Sequence, residues 1–340
     1  MSTPAIIVLG SSNTDLIVRL PRLPRKGDTV LGGSFWQAPG GKGANQAVAA
    51  ARAGQHAVLF LSAMGDDEFG RKRLAELRAE RLITDYIKIV PGAPSGIAMI
   101  FVSEQGQNMI GVAAGANMHL LPEDVERLPA ALFGRARVFL ASLEVPLQTV
   151  RRGLERAKQS GLFTILNPAP ADERVACREF LELVDILTPN RLELAQLAGS
   201  ELGERLEHGR AGGRQGWERD AVGVLRCKGL RDCVVTMGEK GCLVFAGGNC
   251  RRMSALPGVQ AVDTTAAGDA FSGCLAAALA EGIPLAAAVR FATVGAGLSV
   301  TRHGAQPSLP RREEIEAALS AWRGSTTARR RGPAAPESET

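Results

Sequence analysis

The residues best suited to chemistry lie in the stretch 262–273. Two threonines, Thr264 and Thr265, precede a turn of three small residues, and Asp269 and an alanine-rich run over 270–280 follow that turn. The run is a strong helix former, and either threonine is a plausible N-cap. The unpaired N–H groups of a first helical turn bind anions, and small side chains let a phosphate approach them. This stretch therefore predicts an anion-binding helix start beside a carboxylate.

Two interpretations of Asp269 follow. The carboxylate could be a general base that takes a proton from an attacking hydroxyl group, which suits phosphoryl transfer to an alcohol. It could also be an acid that only caps the first turn of a helix, as acids do in many proteins. The stretch alone favours neither interpretation.

A glycine-rich segment at 40–46 predicts a second part of a site. Its glycines let the backbone approach a ligand closely, while Lys42 adds a positive charge and Asn45 adds an amide. It is not a P-loop, because the Gly-Lys-Ser/Thr ending is missing. Upstream, Asn13 and Asp15 would point to the same side of an extended chain, as a polyol ligand requires. Taken alone, however, that pair is better explained by turn chemistry.

The composition is that of a globular protein. The 340 residues are 45% hydrophobic and 22% charged, with a net charge of +5. Only 4% are aromatic and the basic residues are scattered, which argues against a nucleic-acid surface. The six cysteines show no Cys-x-x-Cys spacing, so we expect reduced thiols. With no signal peptide and no apolar run of membrane-spanning length, we expect a cytoplasmic protein that binds neither nucleic acid nor membrane.

Strands and helices alternate along the chain. The short apolar runs that predict strands lie at 6–9, 58–64, 138–141, 163–166, 184–187 and 233–235. Alternation of this kind implies a parallel sheet that binds its ligands at the carboxyl ends of the strands. Polar residues stand at four of those ends: Glu144, Asn167, Asn190 and Thr236.

Three further β-like runs, at 28–37, 95–102 and 108–112, predict a small separate sheet. Inserted into an α/β domain, such a sheet is a candidate lid. It would expose Phe35 and Trp36 to a partner.

Other predictions concern helices and loops. We expect one helix over 71–81 and another that opens with Glu193. The Gly- and Arg-rich segment between 201 and 220, which includes Trp217, predicts a flexible surface loop. The tail from 324 to 340 has the composition of a disordered end.

Taken together, the motifs resemble the PfkB carbohydrate kinase family. One family signature is similar to 40–47 and the other to 263–269. Shorter similar stretches, which extend the match over about 6–322, lie at 10–15, 167–170, 188–190 and 302–308.

The resemblance implies a three-layer α/β sandwich with a mostly parallel central sheet and a small β-sheet lid. The kinase domain would cover 1–322, with its lid formed by about 13–38 and 95–113. Residues 323–340 would be a disordered tail.

The resemblance also implies phosphoryl transfer from MgATP to a sugar hydroxyl, with O5 of D-ribose as the expected acceptor. Deoxyribose, fructose and adenosine are the alternatives within the family. Asp269 would be the general base. The charge that develops on the γ-phosphoryl group would be held at the backbone N–H groups of Ala266, Ala267 and Gly268. A sugar-binding protein without catalysis is less favoured, because Lys42, Gly268 and Asp269 are all present.

Two binding sets are implied by matching positions. The sugar would be held by Asn13, Thr14, Asp15, Gly41, Lys42, Gly43, Ala44, Asn45, Glu144 and Asp269. ATP would be held by Asn190, Thr236, Met237, Gly238, Glu239, Lys240, Gly241, Gly268, Asp269 and Thr293.

The resemblance further implies two kinds of metal ion and a homodimer. An activating K⁺ would be held, mostly by backbone carbonyls, at Asp263, Thr265, Ser299, Arg302, Gly304 and Ser308. Mg²⁺ would be organised through water by Asn190 and Glu193. The lid would pair with the lid of a second copy, which would explain the exposure expected for Phe35 and Trp36.

Overall fold

The structure, a computed structural model, describes residues 4–199 and 216–330. The strands in these ranges are β1 (Pro4–Leu9), β2 (Asn13–Leu20), β3 (Ser34–Gly40), β4 (Ala57–Leu61), β5 (Ala63–Gly65), β6 (Lys88–Val90), β7 (Gly96–Ser103), β8 (Asn108–Ala113), β9 (Val138–Ser142), β10 (Phe163–Asn167), β11 (Ile186–Leu187), β12 (Asp232–Thr236), β13 (Cys242–Ala246) and β14 (Asn249–Met253).

The α-helices in the same ranges are α1 (Lys42–Ala53), α2 (Glu68–Ala79), α3 (Pro122–Glu126), α4 (Ala130–Phe133), α5 (Leu147–Gln159), α6 (Arg178–Leu181), α7 (Arg191–Ala198), α8 (Trp217–Cys227), α9 (Ala267–Ala280), α10 (Leu285–Ser299) and α11 (Arg312–Arg330). Short 3₁₀ helices lie at Gly115–His119, Glu173–Val175, Gly238–Lys240 and Gln306–Ser308. No helix in the described ranges is long and apolar enough to cross a membrane.

The main sheet has eight strands in the order β14-β13-β12-β11-β10-β9-β1-β4. The six strands from β12 to β4 are parallel, and β13 and β14 add an antiparallel edge. In β1, Ile7 and Leu9 pack into one buried cluster and Ile6 and Val8 into the other. A continuous apolar strand therefore has helices on both faces, and the three-layer α/β architecture expected from the sequence is confirmed.

A second sheet has four strands in the order β3-β2-β7-β8. Its central pair, β2 and β7, is parallel, while the outer pairs are antiparallel. The small separate sheet is therefore confirmed, and the predicted hairpin joins β7 to β8. The predicted strand over 28–37 is wrong for its first half, because β3 begins only at Ser34.

Several predicted boundaries need correction. The run 58–64 is two strands, β4 and β5, and not one. Helix α2 begins at Glu68 and not Arg71, because Asp67 caps it by accepting from the backbone N–H of Gly70. Helix α7 begins at Arg191, with Asn190 as its N-cap, and does not open with Glu193.

Helix α9 departs from the prediction at its start. Neither Thr264 nor Thr265 is the N-cap. That position belongs to Ala266, whose φ of 59° is left-handed, and no side chain caps the helix. This conformation is unfavourable for a residue with a β-carbon. Here it turns the chain sharply into the helix and leaves the first N–H groups without a capping side chain.

Two predictions concern the ends of the described ranges. Residues 201–215 of the predicted surface loop lie outside them. Trp217 does not belong to such a loop, because it starts α8 and is buried. Helix α11 continues to Arg330, past the predicted domain end at 322. Residues 331–340 lie outside the described part of the chain, and a disordered tail there stays a prediction.

Candidate active site

The site forms where the first turns of α1 and α9 meet. The two helices pack face to face, and Gly273 of α9 makes the close approach possible. A β-carbon added at Gly273 would lie 2.5 Å from the carbonyl oxygen of Gln46. The packing brings the first turn of α1, with Asn45 and Gln46, against Asp269 in the first turn of α9.

Asp269 is buried and accepts two hydrogen bonds from α1. Asn45 Nδ2 donates to its Oδ2 at 3.0 Å, and Gln46 Nε2 donates to its Oδ1 at 2.9 Å. Burial raises the pKa of Asp269 above its usual value, while Lys42 and the two amide donors act to lower it. The carboxylate is thus held in one orientation, with a raised affinity for a proton, which is the condition a general base needs.

Gln46 extends this network away from the site. The same Nε2 donates to Asn167 Oδ1 at 3.0 Å, and Asn167 Nδ2 donates to the carbonyl of Thr188. Asn167, one of the predicted strand-end residues, therefore helps to orient the Gln46 amide and contacts Asp269 only through it. Gln46 is not among the predicted site residues, because its role depends on which face of α1 meets α9.

Lys42 and Glu144 form the next part of the site. The neighbouring Asp269 carboxylate raises the pKa of Lys42. Glu144 Oε2 accepts from the backbone N–H of Lys42 at 3.0 Å and from Ser11 Oγ at 2.5 Å. Glu144, two residues past the end of β9, is thereby bonded to the start of α1, and its role in holding the sugar stays a prediction. The contribution of Ser11 was not predicted.

Asn13, Thr14 and Asp15 open β2 and are all buried. Asn13 and Asp15 lie on the same face, as the alternation of a strand requires. The Asp15 carboxylate occupies the space where Gly40 has no side chain, since a β-carbon there would lie 2.2 Å from its Oδ1. Burial, together with the nearby Glu144 carboxylate, raises the pKa of Asp15 from 3.8 to about 7.

Two predicted glycines of the segment 40–46 lie where a side chain would clash with neighbouring backbone. Gly41 has a φ of 89°, and a β-carbon on it would lie 2.7 Å from the backbone nitrogen of Asn13. Gly43 lies so close to Gly10 that a β-carbon would lie 2.5 Å from its carbonyl carbon. Ala44 is buried and donates its N–H to the carbonyl of Ser11. These residues shape the backbone of the site.

The first turn of α9 faces open space. Gly268 is exposed, and a β-carbon on it would meet nothing within 4 Å. A cavity of about 500 Å³ begins here. Among the predicted nucleotide residues, those that line it are Thr236, Gly238, Glu239, Gly241, Gly268 and Thr293.

Several residues of this cavity were not predicted. They lie in the segment after β14, on α9, on α10 and directly after α10, and the apolar ones include Ala255, Leu256, Val259, Phe271, Ala296 and Val300. The volume and the apolar walls suit a purine ring. Met237 and Lys240 do not line the cavity; Met237 donates its N–H to the carbonyl of Gly241 and so closes the adjacent turn.

Asn190 and Glu193 are paired with each other. Glu193 N–H donates to Asn190 Oδ1 at 2.9 Å, and Asn190 N–H donates to Glu193 Oε2 at 2.8 Å, which is a capping box. Burial raises the pKa of Glu193, on which the charges of Lys42 and Asp269 also act. The pair therefore has a structural role at the start of α7, and it lies beside the candidate site.

The predicted K⁺ segments are joined by Asp263. Its Oδ1 accepts from the N–H and hydroxyl of Thr265, and its Oδ2 accepts from the N–H of Gly304 at 2.8 Å. Burial acts to raise the pKa of Asp263, but these donors outweigh it and lower the pKa. Ser299 and Ser308 are fully buried.

Arg302 is directed elsewhere, to an ion pair with Glu314. The six positions lie in the turn at 263–265, at the end of α10 and in the segment 302–308, and K⁺ binding by their backbone carbonyls stays a prediction.

A buried carboxylate beside a helix start without a capping side chain, next to a cavity of nucleotide size, is the arrangement expected of a phosphotransferase. Comparison with known proteins identifies the class further. The family model described as "pfkB family carbohydrate kinase" matches residues 3–312. The chain therefore belongs to the pfkB family of carbohydrate kinases.

Individual relatives cover nearly the whole chain. A ribokinase from Haemophilus influenzae is 38% identical over 312 residues, which is 91% of this chain and 96% of the relative. A deoxyribokinase from Salmonella typhi is 38% identical over 319 residues, with 93% and 98% covered. The solved ribokinase of Arabidopsis thaliana, complexed with ribose and ATP, superposes with a TM-score of 0.80 at 30% identity, covering 94% of this chain and 99% of that one.

Proposed function

We propose that this protein is an ATP-dependent ribokinase that phosphorylates O5 of D-ribose. The observation that carries the proposal is the position of Asp269, buried in the first turn of α9 and held by Asn45 and Gln46. The sugar would lie on the β2 side of this carboxylate and ATP on the cavity side. The similarity to ribokinases, one of them solved with ribose and ATP, supports the same assignment.

In the proposed reaction, Asp269 takes the proton of the 5-hydroxyl group as its oxygen attacks the γ-phosphorus. The new O–P bond forms while the bond from the γ-phosphorus to the β,γ-bridging oxygen breaks, and ADP leaves. Negative charge on the transferred group is stabilised by the N–H groups of the 266–268 turn and by the positive charge of Lys42. Burial favours proton uptake, because it disfavours the charged form of Asp269.

The remaining hydroxyl groups of the sugar would be held by polar groups at the start of β2. Asp15 offers a carboxylate and Asn13 an amide on the same face. The Glu144 carboxylate, which accepts from the backbone N–H of Lys42, would contact the sugar from the other side. A site built from such groups can reject a sugar that lacks a bonded hydroxyl, because its buried polar groups then stay unpaired.

The proposed metal ions fit the residues present. No cluster of three or more His, Cys, Asp or Glu side chains suited to a metal lies within residues 4–199 and 216–330. Mg²⁺ usually keeps several waters and is bound by one or two carboxylates plus phosphates, which suits Glu193 with Asn190. It would neutralise charge on the ATP phosphates. K⁺ would lie at the turns joined by Asp263 and steady the neighbouring anion-binding turn.

We also propose a homodimer formed through the lid sheet. Cross-strand neighbours form one row, Trp36-Ile17-Ile100-Ile110, on the face that carries Asp15. At its ends Trp36 and Ile110 are 41% and 54% exposed. Exposed apolar faces of this kind mark interaction surfaces, and a second copy would cover this one.

The lid face also corrects one expectation. Phe35 and Trp36 are adjacent in β3, so their side chains point to opposite faces of the sheet. A single lid interface therefore does not explain the exposure of both residues. We assign the interface to the face of Trp36.

Deoxyribose kinase activity is the second candidate, because the deoxyribokinase relative has the same 38% identity as the ribokinase.

The test of the proposed function is ADP release with MgATP and K⁺, measured with D-ribose, 2-deoxy-D-ribose, D-fructose and adenosine as acceptors. The proposal predicts a kcat/KM for ribose at least about tenfold above each of the others. A preference for deoxyribose or adenosine would replace the substrate assignment and keep the role of Asp269. No turnover with any of them would contradict the proposed activity.

A further inference from the structure

Asn117 is a buried amide next to the candidate sugar site, and none of the site predictions includes it. It lies in the 3₁₀ helix Gly115–His119, which follows directly on the last lid strand, and it is 1% exposed. Its Nδ2 donates to Oδ1 of Asn13 at 2.8 Å and to the carbonyl of Ala114 at 2.9 Å. Its Oδ1 accepts from the backbone N–H of Ser12 at 2.9 Å.

These contacts determine the orientation of both amides. A backbone N–H can only donate, so the group of Asn117 that faces Ser12 must be its oxygen. The amide nitrogen of Asn117 must then face Asn13, and the atom of Asn13 that meets it must be Oδ1. If either amide turned over, two donors or two acceptors would face each other in a buried place, which is unfavourable.

The consequence concerns the free end of Asn13. Its Oδ1 is occupied by Asn117, and no protein acceptor in the described ranges is bonded to its Nδ2. We infer that Asn117 is a positioning residue that fixes the amide of Asn13, so that Asn13 offers the sugar a hydrogen-bond donor and not an acceptor. The inference rests on the proposed function, because it takes the ligand beside Asn13 to be a sugar.

Gly96 supports this inference from the lid side. It is the first residue of β7, and it pairs with Asn13 across the sheet. A β-carbon on Gly96 would lie 2.2 Å from Asn117 Nδ2 and 2.2 Å from Asn13 Oδ1. The two amides can therefore form their hydrogen bond only while residue 96 is glycine. Strand β7 therefore begins beside this hydrogen bond, at Gly96, and the 3₁₀ helix that follows β8 contributes Asn117 to it.

The test reverses the polarity of the contact. In Asn117→Asp, one carboxylate oxygen can still accept from Ser12, while the other faces Asn13 and accepts from its Nδ2, at the cost of the hydrogen bond to the Ala114 carbonyl. The Asn13 amide then turns over and presents its oxygen to the sugar. We expect the Kd for D-ribose, measured by calorimetric titration, to rise at least about tenfold, the effect of one lost hydrogen bond. The KM for ATP stays within about twofold of the wild type.

A double-mutant cycle separates this role from general destabilisation. If Asn117 acts through Asn13, then adding Asn117→Asp to Asn13→Ala changes the Kd for ribose by less than about twofold. An equal loss in both backgrounds would overturn the inference, and so would a single Asn117→Asp variant with wild-type affinity. Asn249→Asp, the same substitution in the distant β13–β14 hairpin, is the matched control and should bind ribose normally.

Gly96→Ala provides a second variant should Asn117→Asp fail to fold. It places a methyl group in the Asn13–Asn117 hydrogen bond, and the same cycle with Asn13→Ala applies. Wild-type protein that binds neither ribose nor 2-deoxyribose would contradict the proposed function, and the inference would fall with it. If the wild type binds ribose normally but the effects of the two substitutions on the Kd simply add in the double variant, the inference is overturned and the proposed function still stands.

Discussion

Gln46 Nε2 lies 2.9 Å from Oδ1 of Asp269, so an amide in the first turn of α1 donates a hydrogen bond to the carboxylate in the first turn of α9. Because the same nitrogen also donates to Asn167 Oδ1, the carboxylate is linked through Gln46 to the end of β10. The orientation of the proposed base therefore depends on two helices and one strand of the main sheet. Gln46 acts on the base without being placed to touch the phosphoryl group.

Replacing Gln46 by leucine tests this relationship. The carboxylate would lose a donor that stabilises its charged form, so the pKa of Asp269 should rise further. A hydrogen bond to a charged group contributes about 1.5–3 kcal/mol, so the loss of this donor should be large enough to detect. The measurement is kcat against pH, in which the acid limb should move to higher pH.

Gln159→Leu, at the exposed end of α5, is the matched control and should leave the pH profile unchanged. An unshifted acid limb in Gln46→Leu would mean that this amide does not tune the base.

Asp15 predicts a pH dependence of sugar binding. Its pKa is raised from 3.8 to about 7, so the carboxylate is ionised only above that pH in the free protein. If the carboxylate accepts hydrogen bonds from sugar hydroxyl groups, the KM for ribose should increase as the pH falls below about 7. Measuring kcat/KM for ribose between pH 5.5 and 8.5 checks this, buffers being chosen to hold ionic strength constant.

The same shift predicts an effect on stability. A folded-state pKa above the unfolded value means that the native protein binds the proton more tightly. The free energy of unfolding should therefore fall as the pH rises from about 4 to about 7. Asp15→Asn removes the titrating carboxyl group and with it this pH dependence. Because the wild type is penalised by the buried charge mainly above pH 7, the thermal midpoint of Asp15→Asn should exceed that of the wild type by more at pH 8 than at pH 5. Equal gains at both pH values would contradict the raised pKa.

Asp263 predicts the response to K⁺. Its two oxygens join the turn at Thr265 to the turn at Gly304, and Asp263→Asn would set an amide N–H group against a backbone N–H. We expect the wild type to turn over faster in K⁺ than in Na⁺ at equal ionic strength. In Asp263→Asn, the K⁺ concentration for half-activation should rise about tenfold or more, as expected for the loss of one charged hydrogen bond.

The control for this experiment is Asp232→Asn, in which an aspartate that accepts from the backbone N–H of Gly247 is changed away from the site. Its K⁺ response should be that of the wild type. Identical wild-type rates in the two salts would argue against the cation site. A normal K⁺ response in Asp263→Asn would argue against the role of this residue.

The lid predicts a face-specific dimer. Ile110→Glu places a charge in the apolar row that includes Trp36, so it should shift the protein from dimer to monomer in sedimentation velocity at micromolar concentration. Phe35→Glu places the same charge on the opposite face and should leave the dimer intact. Dissociation by Phe35→Glu alone would assign the interface to the other face, and a monomeric wild type would remove the dimer altogether.

Much of the fold is predictable because the signals are local. The apolar run at β1 and the alanine-rich run at α9 predict a buried strand and a helix from composition alone. The polar residues at the ends of parallel strands, such as Glu144 and Asn167, are brought to one edge of the sheet by topology. Elements whose ends depend on rarer conformations are not predictable in this way, as the left-handed Ala266 shows.

The missed site residues share a different cause. Gln46 and Asn117 act through side chains far from them in sequence, at Asp269 and Asn13, and such contacts depend on how helices and the lid pack. The spacing of residues along one chain does not contain that information. Trp217 was assigned to a loop for a related reason, because its neighbours are Gly- and Arg-rich while its ring packs under the Arg191 guanidinium.

The most direct test of the account is the turnover of Asp269→Asn with D-ribose, MgATP and K⁺. The amide can keep most of the hydrogen-bond geometry but accepts no proton in the reaction. We predict a Kd for ribose within a few-fold of the wild type and a kcat lowered by about 10²–10⁴-fold, the contribution of a general base. A variant that binds ribose and turns over within about tenfold of the wild-type kcat would contradict the assignment of Asp269 as the base.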